Sequence, residues 1–223
     1  MHLAFGNISR KMKIYHFHNP YDYRFAQALR RGTWYPKGAT ICPECNTSRQ
    51  KRVSPLIIEW EPGSDVIGDF VCPGDDELVL TQKVRDVFER QFQEIEFGPV
   101  EFWQEPRLKQ PKKITPRSKP RVWLPYTGPA LWDVIPMKSC NLNHAKSGVS
   151  IVKECRTCGK TIYKTPPWNQ RHLVVDPATW NSENIFHIHE YSGGIFCTER
   201  VKGFVEKSGF TNISFLEDGE IPI

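Results

Sequence analysis

The sequence predicts an α+β protein made of two pseudo-symmetric, duplicated halves, each a small sheet with a packed helix and one CxxC motif. Three observations lead to this prediction. The order of segments repeats along the chain, each repeat ends in an amphipathic helix and a strand, and a basic, proline-rich segment lies between the repeats. A chain of 223 residues is long enough for two such halves to share a hydrophobic core.

Residues 1–11 are predicted to be a disordered lead. Their apolar patch covers only residues 3–6, which is too short for the core of a signal peptide. Strand-like sequence begins at Met12. Since no run of about 18 apolar residues occurs in the chain, no transmembrane helix and no membrane partner are expected. We therefore predict a cytoplasmic protein whose thiols are reduced.

The repeat is defined by the order and spacing of its segments. Each copy contains a CxxC motif, an apolar strand closed by an acidic residue, a phenylalanine, a helix that starts at threonine, and a final strand. The spacing from the apolar strand to the threonine is 25 residues in both copies, from Leu56 to Thr81 and from Leu173 to Thr198. A shared order with a shared spacing indicates an internal duplication, and we expect the halves to pack about an approximate twofold axis.

Each predicted helix has one apolar stripe. The segments TQKVRDVFER (residues 81–90) and TERVKGFVEK (residues 198–207) start with threonine, a common N-cap residue. Apolar residues then recur at i, i+3 and i+4, a spacing that suits packing on one face of a sheet. The stripe residues are Val84, Val87 and Phe88 in the first helix and Val201, Phe204 and Val205 in the second. Strands are predicted over residues 95–102 and 212–216, and Gly209 is suited to end the second helix.

The net charge of +5 comes from one segment of the chain. Residues 106–121 hold seven basic residues, four prolines and no acidic residue, so the remainder has 23 basic and 25 acidic residues. Proline at this density disfavours helices and central strands, which predicts an extended linker. The linker would separate a first half, residues 12–105, from a second half, residues 122–223. It is either a solvated connector or an electrostatic docking strip for an acidic surface.

The two CxxC motifs carry the predicted chemistry. The four candidate metal ligands are Cys42, Cys45, Cys155 and Cys158. Four thiolates suit a closed, tetrahedral zinc site, in which each motif forms one zinc knuckle. The residue after each motif, Asn46 or Gly159, is of a type that tolerates the positive φ such a turn often needs. Because the motifs lie 113 residues apart, we predict that each half brings one knuckle to a single structural Zn²⁺.

Two alternatives to a metal site stay open at this point. A redox dithiol of the thioredoxin type normally opens a helix after a strand and occurs once, whereas Pro166 and Pro167 follow the second motif closely. The four thiols can also be unmetallated or oxidised. A four-cysteine zinc site has no open coordination position, so it predicts stability rather than metal catalysis.

Two further groups of residues give weaker predictions. Cys140 and His144 have the C-x₃-H spacing and can replace a ligand. His187 and His189 fall on one face of a predicted strand beside Glu190, as in a metal site. Two surface or partly buried histidines without a metal are the simpler interpretation. No P-loop, G-x-S-x-G, H-E-x-x-H or dinucleotide fingerprint is found, so an enzyme is not expected.

The layout of these motifs resembles the bacterial double-CxxCG motif family, which includes immunity proteins of contact-dependent toxin systems in myxobacteria. The resemblance covers most of residues 12–216, and Asn46 stands where the first motif of the family has glycine. The shared features are an MKIYHF-like start at residues 12–17, CPEC at 42–45, CRTCG at 155–159, NIF at 184–186 and CTERVKGFVEKSGFTNISF at 197–215. The resemblance implies a small cytoplasmic, non-enzymatic protein that neutralises a cognate toxin by binding it.

Two other functions remain as alternatives. A zinc protein that binds nucleic acid would use the basic residues of 106–121 for phosphate contacts, and its affinity would fall steeply with salt. An enzyme would use the groups around His187, His189 and Glu190 or around Cys140 and His144. Whether the protein is a monomer or a homodimer is not predicted from the sequence.

Overall fold

The computed structural model describes residues 11–32, 40–47, 54–74, 76–111, 115, 119–167 and 170–223. Strands dominate these residues, which form two six-stranded sheets, one two-stranded sheet and three α-helices. The predicted α+β class is confirmed. Residues 1–10 of the predicted lead lie outside the described part, and its last residue, Lys11, is already the first residue of a strand. No helix within the described ranges has the length and apolar character needed to cross a membrane.

The elements follow one another in a strand-rich order. They are β1 (Lys11–His18), β2 (Ala28–Arg31), β3 (Leu56–Trp60), β4 (Phe70–Gly74), β5 (Glu77–Thr81), α1 (Gln82–Gln91), β6 (Ile95–Phe102), β7 (Leu131–Pro136), β8 (Ser139–Cys140), α2 (His144–Ser147), β9 (Ser150–Glu154), β10 (Thr161–Lys164), β11 (Leu173–Val174), β12 (Ile185–Ile188), β13 (Tyr191–Thr198), α3 (Glu199–Ser208) and β14 (Ser214–Pro222). The strand predicted over residues 95–102 has these bounds, and the strand predicted over residues 212–216 is the start of the longer β14.

Each six-stranded sheet contains one strand from the other predicted half of the chain. The first sheet has the order β2-β3-β6-β7-β5-β4, and the second has the order β11-β14-β1-β13-β12-β8. In the first sheet, β7 lies antiparallel between β6 and β5. In the second sheet, β1 lies antiparallel between β14 and β13. The prediction that each half builds a sheet from its own strands therefore does not hold for β1 and β7.

Both six-stranded sheets contribute to one hydrophobic cluster, which also contains the apolar faces of the two long helices. From the predicted stripes, α1 buries Val84 and Phe88 and α3 buries Val201 and Val205, while Val87 and Phe204 are half-buried. The cluster also contains Tyr15, Phe17, Phe70, Leu78, Leu80, Phe92, Ile95, Val134, Ile185, Ile195 and Cys197. The predicted faces of the helices are confirmed, and they hold the two sheets against a common core.

The two long helices start where the sequence predicts, but the threonine hydroxyls do not cap them. Thr81 and Thr198 take extended N-cap conformations without a side-chain cap hydrogen bond. Their backbone N–H groups donate to the carbonyl oxygens of Asp69 (3.1 Å) and Asn184 (3.0 Å) instead. Gly209 ends α3 in the left-handed conformation with φ 65°, as predicted. The helix starts are therefore fixed by contacts between neighbouring segments.

The described residues of the basic segment 106–121 form neither helix nor strand. Residues 112–114 and 116–118 of the predicted linker lie outside the described part. At the end of the segment, Arg121 Nη2 lies 3.0 Å from Glu59 Oε1 on β3, and both side chains are 10% exposed. The adjacent Pro120 carbonyl accepts a hydrogen bond of 2.8 Å from Gly63 N. Arg121 thus belongs to an ion pair within the fold.

Candidate metal centre

The structure brings the four predicted cysteines together. Their Sγ atoms all lie within 4.8 Å of one another. Two of the separations join one motif to the other, at 3.6 Å for Cys42 and Cys155 and 3.5 Å for Cys45 and Cys158. These separations are well above a disulfide bond of about 2.05 Å and close to the roughly 3.8 Å between thiolates around zinc at about 2.3 Å. The arrangement can hold a metal ion, and metal binding itself stays a prediction.

Both motifs adopt the same turn. The residue after the second cysteine donates its N–H to the carbonyl of the first, from Asn46 to Cys42 (2.8 Å) and from Gly159 to Cys155 (2.7 Å). In both motifs the N–H of the first cysteine donates to the carbonyl five residues later, at 2.8 Å. Asn46 has φ 54° and Gly159 has φ 68°, which confirms the predicted left-handed conformations. This shared turn directs the two Sγ atoms of each motif to the same side.

The two motifs are carried by different kinds of structure. The first lies in the connection between β2 and β3, which belong to the first six-stranded sheet. The second lies at the turn between β9 and β10, which form the separate two-stranded sheet. Cys42 is 5% exposed and Cys155 is 1% exposed, whereas the second cysteine of each motif is half-buried. The centre therefore lies where the β9–β10 hairpin meets a loop of the first sheet.

Glu44 joins the two motifs next to the cysteine cluster. Its carboxylate accepts hydrogen bonds from the Cys155 thiol (3.4 Å) and the Thr157 hydroxyl (3.1 Å), and it pairs with Lys153 Nζ at 3.2 Å. These contacts lower the pKa of Glu44 below its usual value, and the hydrogen bond from the Cys155 thiol is the largest cause. The contacts add a polar link between the first motif and the β9–β10 hairpin.

The thiols of the cluster differ in how readily they ionise. A hydrogen bond from the Thr47 hydroxyl lowers the pKa of Cys45 to about 6, and burial raises the pKa of Cys155 to about 12. Metal binding needs thiolates, so a bound cation would have to lower the pKa of Cys155 well below this value.

The second candidate group, Cys140 and His144, is divided between different partners. Cys140 is 2% exposed, and its Sγ lies 3.8 Å from the His187 carbonyl oxygen. Burial raises the pKa of its thiol to about 12. His144 Nε2 instead lies 2.9 Å from Glu190 Oε1. Neither residue belongs to the cysteine cluster.

The histidines on β12 and just after it are also separated by their contacts. His187 Nδ1 lies 3.2 Å from the Gly194 carbonyl oxygen, whereas His189 is exposed and its ring centroid lies 6.3 Å from that of Tyr163. Among the described residues, neither histidine belongs to a group of three or more ligands that can share a metal ion.

A buried ionic cluster joins the first and last strands, and the sequence did not predict it. His16 Nδ1 lies 2.5 Å from Asp218 Oδ2, and Arg171 Nη2 lies 2.6 Å from Asp218 Oδ1. The three side chains are 4%, 5% and 1% exposed in the order His16, Asp218, Arg171. The Arg171 guanidinium also lies 4.6 Å from the centre of the Tyr191 ring. His16 and Asp218 are 202 residues apart, so no local motif could have indicated this cluster.

No protein-family model matches the chain, and the search of curated proteins finds no match. The resemblance to the double-CxxCG motif family thus depends on the layout of the motifs in the sequence.

Proposed function

We propose that this chain is a cytoplasmic, non-enzymatic immunity protein that neutralises a cognate bacterial toxin domain by binding it, stabilised by one structural Zn²⁺. The observation that carries the metal part is the convergence of four Sγ atoms within 4.8 Å. The toxin part is supported by the motif layout that resembles immunity proteins. The two parts are independent, and each has its own experiment.

Zinc is the metal that suits this set of ligands best. Thiolates are soft ligands, and four of them in a tetrahedral arrangement are typical of structural zinc or of iron–sulfur chemistry. The paired CxxC turns with residues of positive φ at their ends are the geometry of zinc knuckles. A closed site of this kind stabilises the fold and leaves no coordination position for a substrate.

The zinc proposal is tested by elemental analysis of protein purified without chelator. We expect about one zinc per chain, and X-ray absorption at the zinc edge should show four sulfur ligands at about 2.3 Å. Protein without metal, with two zinc ions per chain, or with iron in place of zinc would contradict the proposal.

The internal duplication is part of the same proposal, and the strand orders support it. Positions β3-β6-β7-β5-β4 of the first sheet correspond to β11-β14-β1-β13-β12 of the second. In each sheet the first pair is parallel and the other three are antiparallel. We infer two copies of one unit that have exchanged their first strands, with β1 in the place that corresponds to β7. Strands β2 and β8 then extend the two sheets at opposite edges.

A scaffold that is cross-linked by a metal site and by exchanged strands fits a protein that acts by binding. Cross-links between segments that are far apart in sequence limit the motion of the surface, which reduces the entropy lost when a partner binds. We therefore place the activity in surface recognition rather than in bond chemistry.

The toxin proposal is tested by protection of growing cells. The reading frame next to this gene is expressed from an inducible promoter in a bacterial host, with and without this chain. We expect arrested growth to be restored by this chain, and the purified pair to form a complex at micromolar concentration or below. A folded chain that neither restores growth nor binds the neighbouring product would contradict the proposal.

Nucleic-acid binding through residues 106–121 is the alternative that the charge of this segment favours. Arg107 and Lys109 are exposed, whereas Arg121 is paired with the buried Glu59. If the alternative holds, affinity for a random DNA duplex falls by orders of magnitude between 50 mM and 200 mM salt. Binding to DNA that is weak and independent of salt would favour the immunity proposal.

A further inference from the structure

A pocket of about 570 Å³ lies beside the end of β1, and none of the four clustered cysteines lines it. Its walls come from residues 16–19, from the connection to β2, and from the turn between β4 and β5. Its volume falls within the range of about 300–1,000 Å³ that is usual for sites that hold a small molecule.

The walls of this pocket are aromatic and acidic. The ring-bearing residues are His16, Phe17, His18, Tyr21, Tyr23 and Phe25. Two carboxylates, Glu61 and Glu77, also line it, and no lysine or arginine is among its described lining residues. The phenylalanine and tyrosine rings and the carboxylates both attract a cation, so the wall chemistry favours a positively charged group.

The two carboxylates differ in their surroundings. The Glu77 side chain is 1% exposed, and its Oε1 lies 2.9 Å from Arg30 Nε. Glu61 is half-buried and forms no ion pair with another described residue. Glu61 is therefore the carboxylate whose charge is available to a bound cation, while the charge of Glu77 is balanced by Arg30.

The loop between β1 and β2 is held by hydrogen bonds among its own residues. Asn19 Oδ1 accepts from Tyr21 N (2.8 Å), and Asn19 Nδ2 donates to Gln27 Oε1 (2.9 Å). Gln27 Nε2 donates to the Phe25 carbonyl (3.2 Å), and Phe25 N donates to the Asp22 carbonyl (3.0 Å). Tyr21 is held at φ 50°, a left-handed conformation that is rare for a bulky residue. The loop thus presents its side chains in a preorganised conformation.

Large side chains stand exposed at the rim of the pocket. Tyr21 is 59% exposed, Tyr23 is 73% exposed and Leu29 is 45% exposed. Tyrosines on a rigid loop supply contact area at low cost in conformational entropy, which is why they are frequent in surfaces that bind proteins. A small molecule inside the pocket would leave this rim uncovered, whereas a protein surface would cover it.

We propose that this pocket receives the arginine or lysine side chain of a protein partner, with Tyr21 and Tyr23 packing against the partner's surface around it. The preference for a cation follows from the pocket walls alone. The identification of that partner as the toxin rests on the proposed function.

The test uses nuclear magnetic resonance titrations of the full chain with four probes. N-acetyl-arginine amide and N-acetyl-lysine amide carry the cationic side chains, N-acetyl-citrulline amide is the neutral match for arginine, and tetramethylammonium is a free organic cation. We expect saturable shifts at Tyr21, Tyr23 and Glu61 with the first two probes, and at least about fivefold weaker binding of citrulline.

Two variants and one control locate the binding. Glu61→Gln and Tyr23→Ser alter exposed or half-buried residues, and each should weaken arginine binding by about threefold or more. Glu96→Gln removes a carboxylate from an exposed position on β6 outside the pocket and should leave binding unchanged. Equal losses in Glu61→Gln and Glu96→Gln would mean that the overall charge of the protein, and not the pocket, attracts the probe.

Each remaining outcome decides one part of the proposal. Equal binding of citrulline and arginine, or no shift at the pocket residues, overturns the preference for a cation. Tighter binding of tetramethylammonium than of either amide overturns the protein partner in favour of a free organic cation. Sedimentation measures whether the chain associates with itself. Self-association that is abolished by Glu61→Gln overturns the proposal of a different protein partner in favour of a second copy of this chain. If arginine binds the pocket but growth is not protected, the toxin proposal fails alone.

Discussion

One backbone angle in each CxxC motif decides whether the two cysteines of that motif can face one metal ion. Asn46 and Gly159 both have positive φ, and both donate their N–H back to the first cysteine of the motif. Glycine adopts this conformation without a Cβ clash, whereas asparagine is one of the few other residues that tolerate it. The sequence difference between the motifs is therefore accommodated by the same turn.

Replacement of Gly159 by alanine tests the requirement for positive φ. We expect Gly159→Ala to lower the free energy of unfolding by about 1–2 kcal/mol, because a Cβ is disfavoured in the left-handed region. Urea denaturation measures the change, and a chelating dye measures zinc release, which should become faster.

Gly203→Ala is the control, since a Cβ there meets no atom within 4 Å inside α3. It should be neutral or stabilise the protein by up to about 1 kcal/mol, because alanine favours the helix. An equal loss of stability in both variants would argue against a special role of the left-handed angle.

Replacement of a single cysteine tests whether the cluster acts as one site. We expect Cys155→Ser to lose zinc and to lower the melting temperature of the whole molecule, because ligand loss removes folding energy coupled to metal binding. Cys140→Ser changes another buried cysteine, 2% exposed, that lies outside the cluster. The control should keep about one zinc per chain, as measured by elemental analysis after dialysis against chelator. Equal zinc loss in both variants would contradict the assignment of ligands.

The strand β1 shows at the level of elements how distant parts of the chain are joined. It pairs with β13 on one side and β14 on the other, and His16 on this strand reaches Asp218 of β14. Asp218 also holds Arg171, so one buried carboxylate satisfies two cationic or polar partners. A buried charge that loses its partner costs several kcal/mol, so this cluster fixes the register of β1 against β14.

Removal of the Asp218 charge should therefore destabilise the protein strongly. We expect Asp218→Asn to lower the free energy of unfolding by about 3–5 kcal/mol, because it removes the carboxylate that pairs with the buried Arg171 guanidinium. Glu217→Gln is the matched control on the same strand, since Glu217 is 49% exposed and pairs with Lys13 at 2.8 Å. It should cost at most about 1 kcal/mol in urea denaturation. Similar losses of stability in both variants would show that burial does not set the strength of the Asp218–Arg171 ion pair.

The helices and the cysteine cluster could be predicted from the sequence. The placement of β1 and β7, each in the sheet of the other predicted half, could not. The periodicity that places Val84 and Phe88 on one face is local, and so is the spacing within each CxxC motif. The placement of β1 in the second sheet depends on contacts between residues about 200 positions apart, which leave no periodic signal in either strand. The pocket beside β1 escaped prediction for the same reason, since its walls come from several separate segments.

At the scale of the whole molecule, the two predicted halves depend on each other because β1 and β7 each lie in the sheet of the other half. The first half lacks β7, which lies between β6 and β5, and the second half lacks β1, which lies between β14 and β13. Without its inserted strand each sheet would be split, with unpaired backbone groups at the gap. The cysteine cluster adds a second connection, between the β2–β3 loop and the β9–β10 hairpin.

Expression of the two halves as separate chains tests this dependence. Residues 11–105 and 122–223 should each fail to fold alone and should associate when they are mixed. Circular dichroism and size-exclusion chromatography follow the recovery of structure. A cooperative unfolding transition in either fragment alone would contradict the inferred dependence.

The position of β1 also has a consequence for synthesis on the ribosome. Among the described strands, β1 is translated before all others and its neighbour β14 after all others, 202 residues later when measured from His16 to Asp218. At about 5–20 residues per second, the nascent strand waits roughly 10–40 s before its neighbour exists. The second sheet can close only after this stretch has emerged from the ribosome. An interrupted chain that stops before β13 would therefore display an unpaired apolar strand, the kind of segment that chaperones and proteases recognise.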